Sequence, residues 1–476
     1  MLDLLFIPEI IISIGIMFVI LIDLFLQNYK KISYFLVQII LIISAYYASN
    51  MNYFPNYDAY ELSNFSNNIK LILIIGSLII FHYTFIHLSY TNKLKIEYFT
   101  ISLLGLVGTM VMISANSLLM LYLGIELLSL SLYALIGFNK KSPLSSEAAI
   151  KYYVLGAMSS GILLFGISII YGFTGSILYS DIASKMLLIN TDSVEYIAVI
   201  FGIIFITASL CFKFGAAPFH MWVPDIYQGS LISTTVLLST LPKVAVFVVF
   251  LKLYFIPFLV IKFIWSDILI FVGMLSIIIG SLYALTQENI KRLLAYSAIS
   301  NIGFIILSIG LVTINGLQAS LYYTVVYSLT ALASFGVITH ITTNSHGIEN
   351  IKDMAGLSKT HPYFAILILI TMLSSAGIPP LIGFHAKLIV IKSLIDSSLI
   401  ILSMIVVLMT VISAYYYLRI IKTVYFDDRE ELISTLPGNS IILSINVISL
   451  LILGLFPYII YNLSKHLASL FPSISI

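Results

Sequence analysis

The sequence predicts an all-α polytopic membrane protein with about 14 transmembrane helices. Three observations carry that reading. Hydrophobic residues make up 60% of the 476-residue chain and charged residues only 9%, where a soluble domain carries roughly 25% charged residues. The apolar residues gather in runs of about 20, the length a helix needs to cross the hydrocarbon. These runs do not alternate apolar and polar residues, and they are too long for the strands of a membrane barrel. The net charge of +2 comes with no basic patch, so nothing calls for a nucleic-acid partner. The single cysteine, Cys211, excludes a disulfide framework or a cysteine-based metal cluster. The opening MLDLLFIPEIIISIG lacks a basic stretch and a small-residue cleavage site, and reads as a first span rather than a removed signal.

The spans fall, in order, near residues 4–26, 32–49, 69–90, 98–115, 117–138, 147–171, 196–215, 230–256, 264–286, 291–313, 316–342, 363–394, 397–424 and 440–462. The seventh continues through residue 228 past Pro218 and Pro224, too long for one plain span. The twelfth is also overlong and holds Gly377, Pro379, Pro380 and Gly383. Both are expected to be discontinuous, and broken backbone at membrane depth is tolerated only where protein buries it or water lines it. Spans 7 and 12 enter from opposite sides, as two inverted five-helix repeats over spans 4–8 and 9–13 would place them. The expected organisation is therefore an N-terminal three-helix region over 1–96, a first half over 97–260, a second half over 261–425 and a C-terminal span over 426–476. The register of the repeat stays open. Aligning Lys213 with Lys387 gives an offset of 174, which carries Glu126 onto Ser300 and Lys243 onto Tyr417, whereas aligning Pro218 with Pro380 gives 162.

Loop lysines and arginines set orientation. Thirteen fall on one side of these spans, Arg429 among them, and six on the side of the termini, counting Lys70 and Lys252 at span ends. Both termini are accordingly placed outside, in the periplasm of a bacterial inner membrane or its mitochondrial equivalent. Four lysines remain inside: Lys151, Lys213, Lys243 and Lys387. Lys243 lies mid-span in TLPKVAVFVVFL, where a lysine costs roughly 2.5–3.5 kcal/mol on insertion scales, so it should face a bundle interior or a wet cavity. Pro242, just before it, would loosen that turn. Glu126, equally deep in span 5, needs a cationic partner from another helix. Lys213 and Lys387 stand beside the two helix breaks. A structural ion pair is the alternative reading for each of these. Lys151 stands one turn after Glu147, and a local pair on one helix face accounts for it as well as a function does. Glu9 and Asp23 read as interfacial. His220 and His385, beside the breaks, could relay protons or simply satisfy the local backbone, and the histidines show no metal-ligand spacing.

The segments FKFGAAPFHMWVPDIYQGS, LPKVAVF, QENIKRLLAYSAISNIGF, YSLTALASFGV and GIPPLIGFHAKL closely resemble the antiporter-like membrane subunits of respiratory complex I, which share ancestry with subunits of multisubunit cation/proton antiporters. The resemblance covers about residues 100 to 425. Within that family it is most similar to the subunit 2 type, called N in bacteria. The chain stops soon after span 14, Lys387 stands where the subunit 4 type carries a glutamate, and PEI at residues 8–10 matches. His385 departs from the aromatic or aliphatic residue usual there.

The resemblance implies proton-path roles for Glu126 and Lys213 as a charged pair, Lys243 as the central proton carrier, Lys387 as the link to one membrane face and Lys151 as an extra span-6 lysine. Tyr327 falls on the central polar axis. It also implies that the chain binds no cofactor itself. NADH, flavin, iron–sulfur clusters and quinone would sit in partner subunits, and the partners would be other membrane-arm subunits, the lipid bilayer and protons. A proton-translocating subunit of NADH:quinone oxidoreductase is the leading reading. A subunit of a multisubunit cation/proton antiporter and a membrane scaffold remain open. Lysines suit proton transfer because local changes of solvation and neighbouring charge shift their proton affinity, which arginine does not allow.

Overall fold

The computed structural model describes residues 7–25, 30–50, 58–189, 193–342, 349–428, 438 and 440–471; Arg429 lies outside them. Its elements are helices α1 (Ile7–Phe25), α2 (Lys30–Ser49), α3 (Asn64–Tyr90), α4 (Ile96–Ser114), α5 (Leu118–Ile136), α6 (Pro143–Thr174), α7 (Tyr179–Met186), α8 (Val194–Phe214), α9 (Trp222–Gly229) and α10 (Ile232–Phe255). They continue with α11 (Lys262–Leu285), α12 (Ile290–Gly310), α13 (Ile314–Ile341), α14 (Leu357–Thr360), α15 (Pro362–Ala376), α16 (Ile382–Asp396), α17 (Ile400–Phe426), α18 (Ile441–Leu455) and α19 (Tyr458–Leu470).

Among the described residues twelve helices are long and apolar enough to cross a membrane. Span 12 is the pair α15 and α16, 15 residues each. Span 14 is α18, followed across a bend of 86° by α19. The all-helical membrane fold read from composition is thus the fold observed. Helix ends follow local chemistry. Ser117, Ser142 and Thr313 accept a backbone N–H of the first turn of α5, α6 and α13, supplying a partner that the helix start lacks.

The chain divides into two compact units. The first comprises Met1–Phe85, Leu94–Phe214 and Leu241–Trp265; the second comprises Ile86–Lys93, Gly215–Thr240 and Ser266–Ile476. In the first, α6 and α8 touch through small residues. A Cβ on Gly166 would sit 2.7 Å from the Gly202 carbonyl oxygen, so only glycine permits this approach. Lipid supplies little hydrophobic drive between helices, and such close backbone packing replaces it. The Ser159 and Ser209 hydroxyls meet at 2.9 Å across the same contact.

The break of span 7 falls after Phe214, at the end of the 21-residue α8, and the chain resumes as the short α9. Gly215 has φ +80° and Gly377, after α15, has φ +84°. This left-handed geometry is costly for other residues and natural for glycine at a helix C-terminus. With Pro218 and Pro380 each three residues further on, the two breaks superpose in sequence at an offset of 162. The proline register therefore describes the breaks, and the lysine register does not.

Helix α10 runs through Pro242 without interruption, and every residue of the helix is buried.

Candidate functional site

A broken helix leaves its last carbonyls without intrahelical donors, and the helix dipole adds partial negative charge there. Both breaks present such an end to a buried lysine. In the first unit the Lys243 ammonium, 1% exposed, donates to the Phe214 carbonyl at 2.7 Å. In the second, Lys387 donates to the carbonyls of Ser375 at 3.0 Å and Ala376 at 2.9 Å, with the Ser413 hydroxyl at 3.5 Å. The cations that composition marked as anomalies thus end as helix-terminus caps from other segments.

Lys213, on the last turn of α8, donates to the hydroxyls of Ser129 at 2.8 Å and Ser160 at 3.4 Å. Glu126 lies one turn before Ser129 on α5. Its carboxylate is within electrostatic reach of Lys213, yet the two form no direct ion pair, and Oε1 is buried without a hydrogen bond. The direct pair expected from sequence is therefore not formed, and Lys213 donates to hydroxyls instead. Lys151 pairs with Glu147 at 2.7 Å, both side chains about half exposed on α6.

In the second unit a hydroxyl and amide network leads toward Lys387. The Tyr323 hydroxyl donates to Asn301 Oδ1 at 2.8 Å. Ser297 and Tyr417 share a hydrogen bond. The Tyr417 hydroxyl is also within reach of Asn301 and Ser375. Two adjoining cavities of about 20 Å³ flank Tyr327, whose hydroxyl makes no hydrogen bond. One of them is bounded by Asn301, Tyr323, Tyr327, Ser375 and Lys387. Each has room for about one water. His220 packs its ring 6.5 Å from that of Tyr296, with Nδ1 unbonded. His385 is half-buried against Phe384, beside Lys387 on α16.

Sequence reasoning missed part of this. Asn301, Tyr323 and Ser375 gave no signal beyond being polar residues inside apolar runs. Tyr417 did surface, but from the offset of 174 that the breaks do not follow. Glu9, read as interfacial, and Lys70, read at a span end, are buried in protein and paired. They are 4% and 0% exposed and form an ion pair at 2.6 Å. Lys252 is buried as well, paired with Glu61 at 2.9 Å. The signal was present in charge bookkeeping: two acids and two bases sat near the ends of spans that converge in space.

Residues 115–413 match the family described as NADH:quinone oxidoreductase/Mrp antiporter, transmembrane. NADH-quinone oxidoreductase subunit N of Ruthia magnifica subsp. Calyptogena magnifica is 43% identical over 457 residues, covering 94% of both chains. Subunit N of Thioalkalivibrio sulfidiphilus is 38% identical over 466 residues, covering 96% of both. Among solved structures, a chain of respiratory complex I from Thermus thermophilus with bound aureothin matches with TM-score 0.78 at 25% identity, over 96% of this chain and 98% of that one. A chain of the Mrp complex from Dietzia sp. matches with TM-score 0.83 at 19% identity, over 97% and 96%, a likeness of fold alone.

Proposed function

Because the chain belongs to the NADH:quinone oxidoreductase/Mrp antiporter transmembrane family, as a member of the subunit N type, we propose that its buried lysines move protons across the membrane, driven by redox chemistry in other subunits. It is a membrane-arm subunit of NADH:quinone oxidoreductase, and its partners are other membrane subunits of that assembly. Its bacterial relatives imply a bacterial inner membrane. Both termini outside is the orientation that the loop charges favour. Nucleotide, flavin, iron–sulfur and quinone chemistry belong, on this reading, to partner subunits, and this chain contributes no redox step.

The observation that carries the proposal is the repeated device at the breaks. At each break a helix is followed by a left-handed glycine, and a buried lysine donates to the carbonyls left exposed. An ammonium held by carbonyl oxygens and hydroxyls, rather than locked to a carboxylate, can give up its proton without abandoning an opposite charge. Glu126 acts electrostatically on Lys213, which donates to the Ser129 hydroxyl. A change in the separation of Glu126 and Lys213 alters the hold on the proton and passes the effect toward Lys243. Onward transfer to Lys387 follows from the family resemblance. In the second unit the cavities beside Tyr327 offer water positions leading to Lys387, with Tyr417, Asn301 and Ser375 as hydroxyl and amide relays.

Inverted membrane vesicles test this against the antiporter reading. NADH addition should acidify vesicles carrying the intact assembly, and Lys213→Met should abolish most of that acidification. Acidification that needs a cation gradient and ignores NADH would instead support the antiporter.

A further inference from the structure

Five ionisable side chains that the proposed path does not use meet in the first unit. Glu9 comes from the first turn of α1, Lys70 from α3, Lys252 from the last turn of α10, and Tyr60 and Glu61 from the segment before α3. One carboxylate oxygen of Glu9 accepts from the Tyr60 hydroxyl at 2.6 Å and from Lys70 at 2.6 Å, and Lys70 also donates to Tyr60 Oη at 3.1 Å. Lys252 donates to Glu61 at 2.9 Å and to the Ala115 carbonyl at 3.4 Å. Lys70 and Lys252 are within electrostatic reach of each other. We propose that this cluster is a second proton-exchange site, opening to water at Glu61.

Three features carry the inference. The first is a gradient of exposure: side chains of Lys70, Lys252 and Glu9 are 0%, 3% and 5% exposed, whereas Glu61 is 28% exposed. The Lys252–Glu61 pair therefore has a dry end and a wet end, and the Glu9–Lys70 pair, within electrostatic reach of it, is dry throughout. The second is energetic. Taking an ion out of water costs several kcal/mol even after relaxation, and apolar residues in place of a buried pair are often neutral or stabilising. Four buried or half-buried charges are thus a poor way merely to hold apolar helices together. The third is that the other oxygen of Glu9 is buried and makes no hydrogen bond. Buried carboxylate oxygens ordinarily have donors, and one left open can take up a proton.

The step balances without further reagents. A proton passing from the Lys252 ammonium to the Glu61 carboxylate breaks an N–H bond and forms an O–H bond, leaving an amine and a carboxylic acid. The acid then gives the proton to water. The reverse transfers take a proton up. Lys252 stands nine residues beyond Lys243 on α10, a rise of about 13 Å, so one buried helix carries both titratable stations. With the termini outside, the cluster lies toward the outer face, where pumped protons leave.

The inference rests on the proton-translocating reading above, and the test separates the two. Glu61→Gln and Lys252→Met are introduced singly and together in the complete assembly, alongside Lys243→Met, and NADH-driven pumping is measured in vesicles. A single change leaves an unmatched buried charge, but the double variant restores neutrality. The double variant should assemble and still pump about tenfold more slowly, or worse, while Glu61→Asp retains pumping. A double variant that assembles and pumps like the parent, or one that fails to assemble, assigns the cluster to structure and overturns the inference. If Lys243→Met also pumps like the parent, the proton-translocating reading itself fails.

Discussion

Replacing Lys387 by methionine separates proton transfer from helix capping. The substitution removes hydrogen bonds to the Ser375 and Ala376 carbonyls at 3.0 and 2.9 Å. Hydrogen bonds to a charged group contribute about 1.5–3 kcal/mol each, so about 3–6 kcal/mol is lost. The same change removes a buried ammonium, whose desolvation costs several kcal/mol. The two effects have similar size and opposite sign, and methionine fills nearly the same volume. Assembly should therefore survive, with a net change within about 2 kcal/mol. Pumping should fall by about a hundredfold, the scale on which a positioned proton-transfer group acts. The assay compares subunit content on a native gel, NADH oxidation with and without uncoupler, and acidification in the same vesicles. Lys387→Arg sharpens it: the charge at the helix end stays, but a guanidinium does not release its proton. An assembled Lys387→Arg or Lys387→Met complex that pumps at the parent ratio would refute the titration mechanism.

Four further outcomes follow from single contacts. Ser129→Ala removes the closer hydroxyl on Lys213 while Ser160 remains, so stability should drop by about 1–3 kcal/mol and pumping less than in Lys213→Met, both read in detergent melts and vesicles. Tyr327→Phe deletes a hydroxyl that no side chain satisfies. The melting temperature should hold while pumping falls, and unchanged pumping would remove Tyr327 from the path. Gly377→Ala combines φ +84° with a Cβ only 2.9 Å from Lys387 Cδ. It should destabilise by about 1 kcal/mol or more and reduce pumping through displaced Lys387, as a paired melt and pumping assay would show. Lys151→Met breaks an exposed pair contributing about 0.3–0.5 kcal/mol, so stability should be unchanged. Unchanged pumping would remove Lys151 from the path.

Apolar runs of membrane length are a composition signal, which is why the spans were legible, whereas the short α7 and α14 between them were not. The two breaks were legible because Gly and Pro act through the backbone, and their consequence does not depend on distant contacts. Lys243 and Lys387 stood out because a charge in lipid is costly wherever it points. What it points at was not legible. The carbonyls of Phe214, Ser375 and Ala376 are identical in sequence to any others, and only the fold makes them acceptors. The pairings of Glu9 with Lys70 and of Glu61 with Lys252 were not legible for a related reason. Each residue lies near a span end, where a charge is unremarkable, and their pairing spans up to 191 residues of sequence. Glu126 and Lys213 were expected as a pair from sequence, but that Lys213 donates to the Ser129 and Ser160 hydroxyls instead depends on side-chain directions that spacing alone does not give.

The most direct measurement of the central claim is the number of protons moved per NADH oxidised by the purified assembly in proteoliposomes, with Lys243→Met against the parent. Met replaces an ammonium that donates to the Phe214 carbonyl, leaving a side chain of similar bulk that cannot titrate. The account expects an assembled complex with a lower proton-to-NADH ratio. An assembled complex with the parent ratio would contradict it.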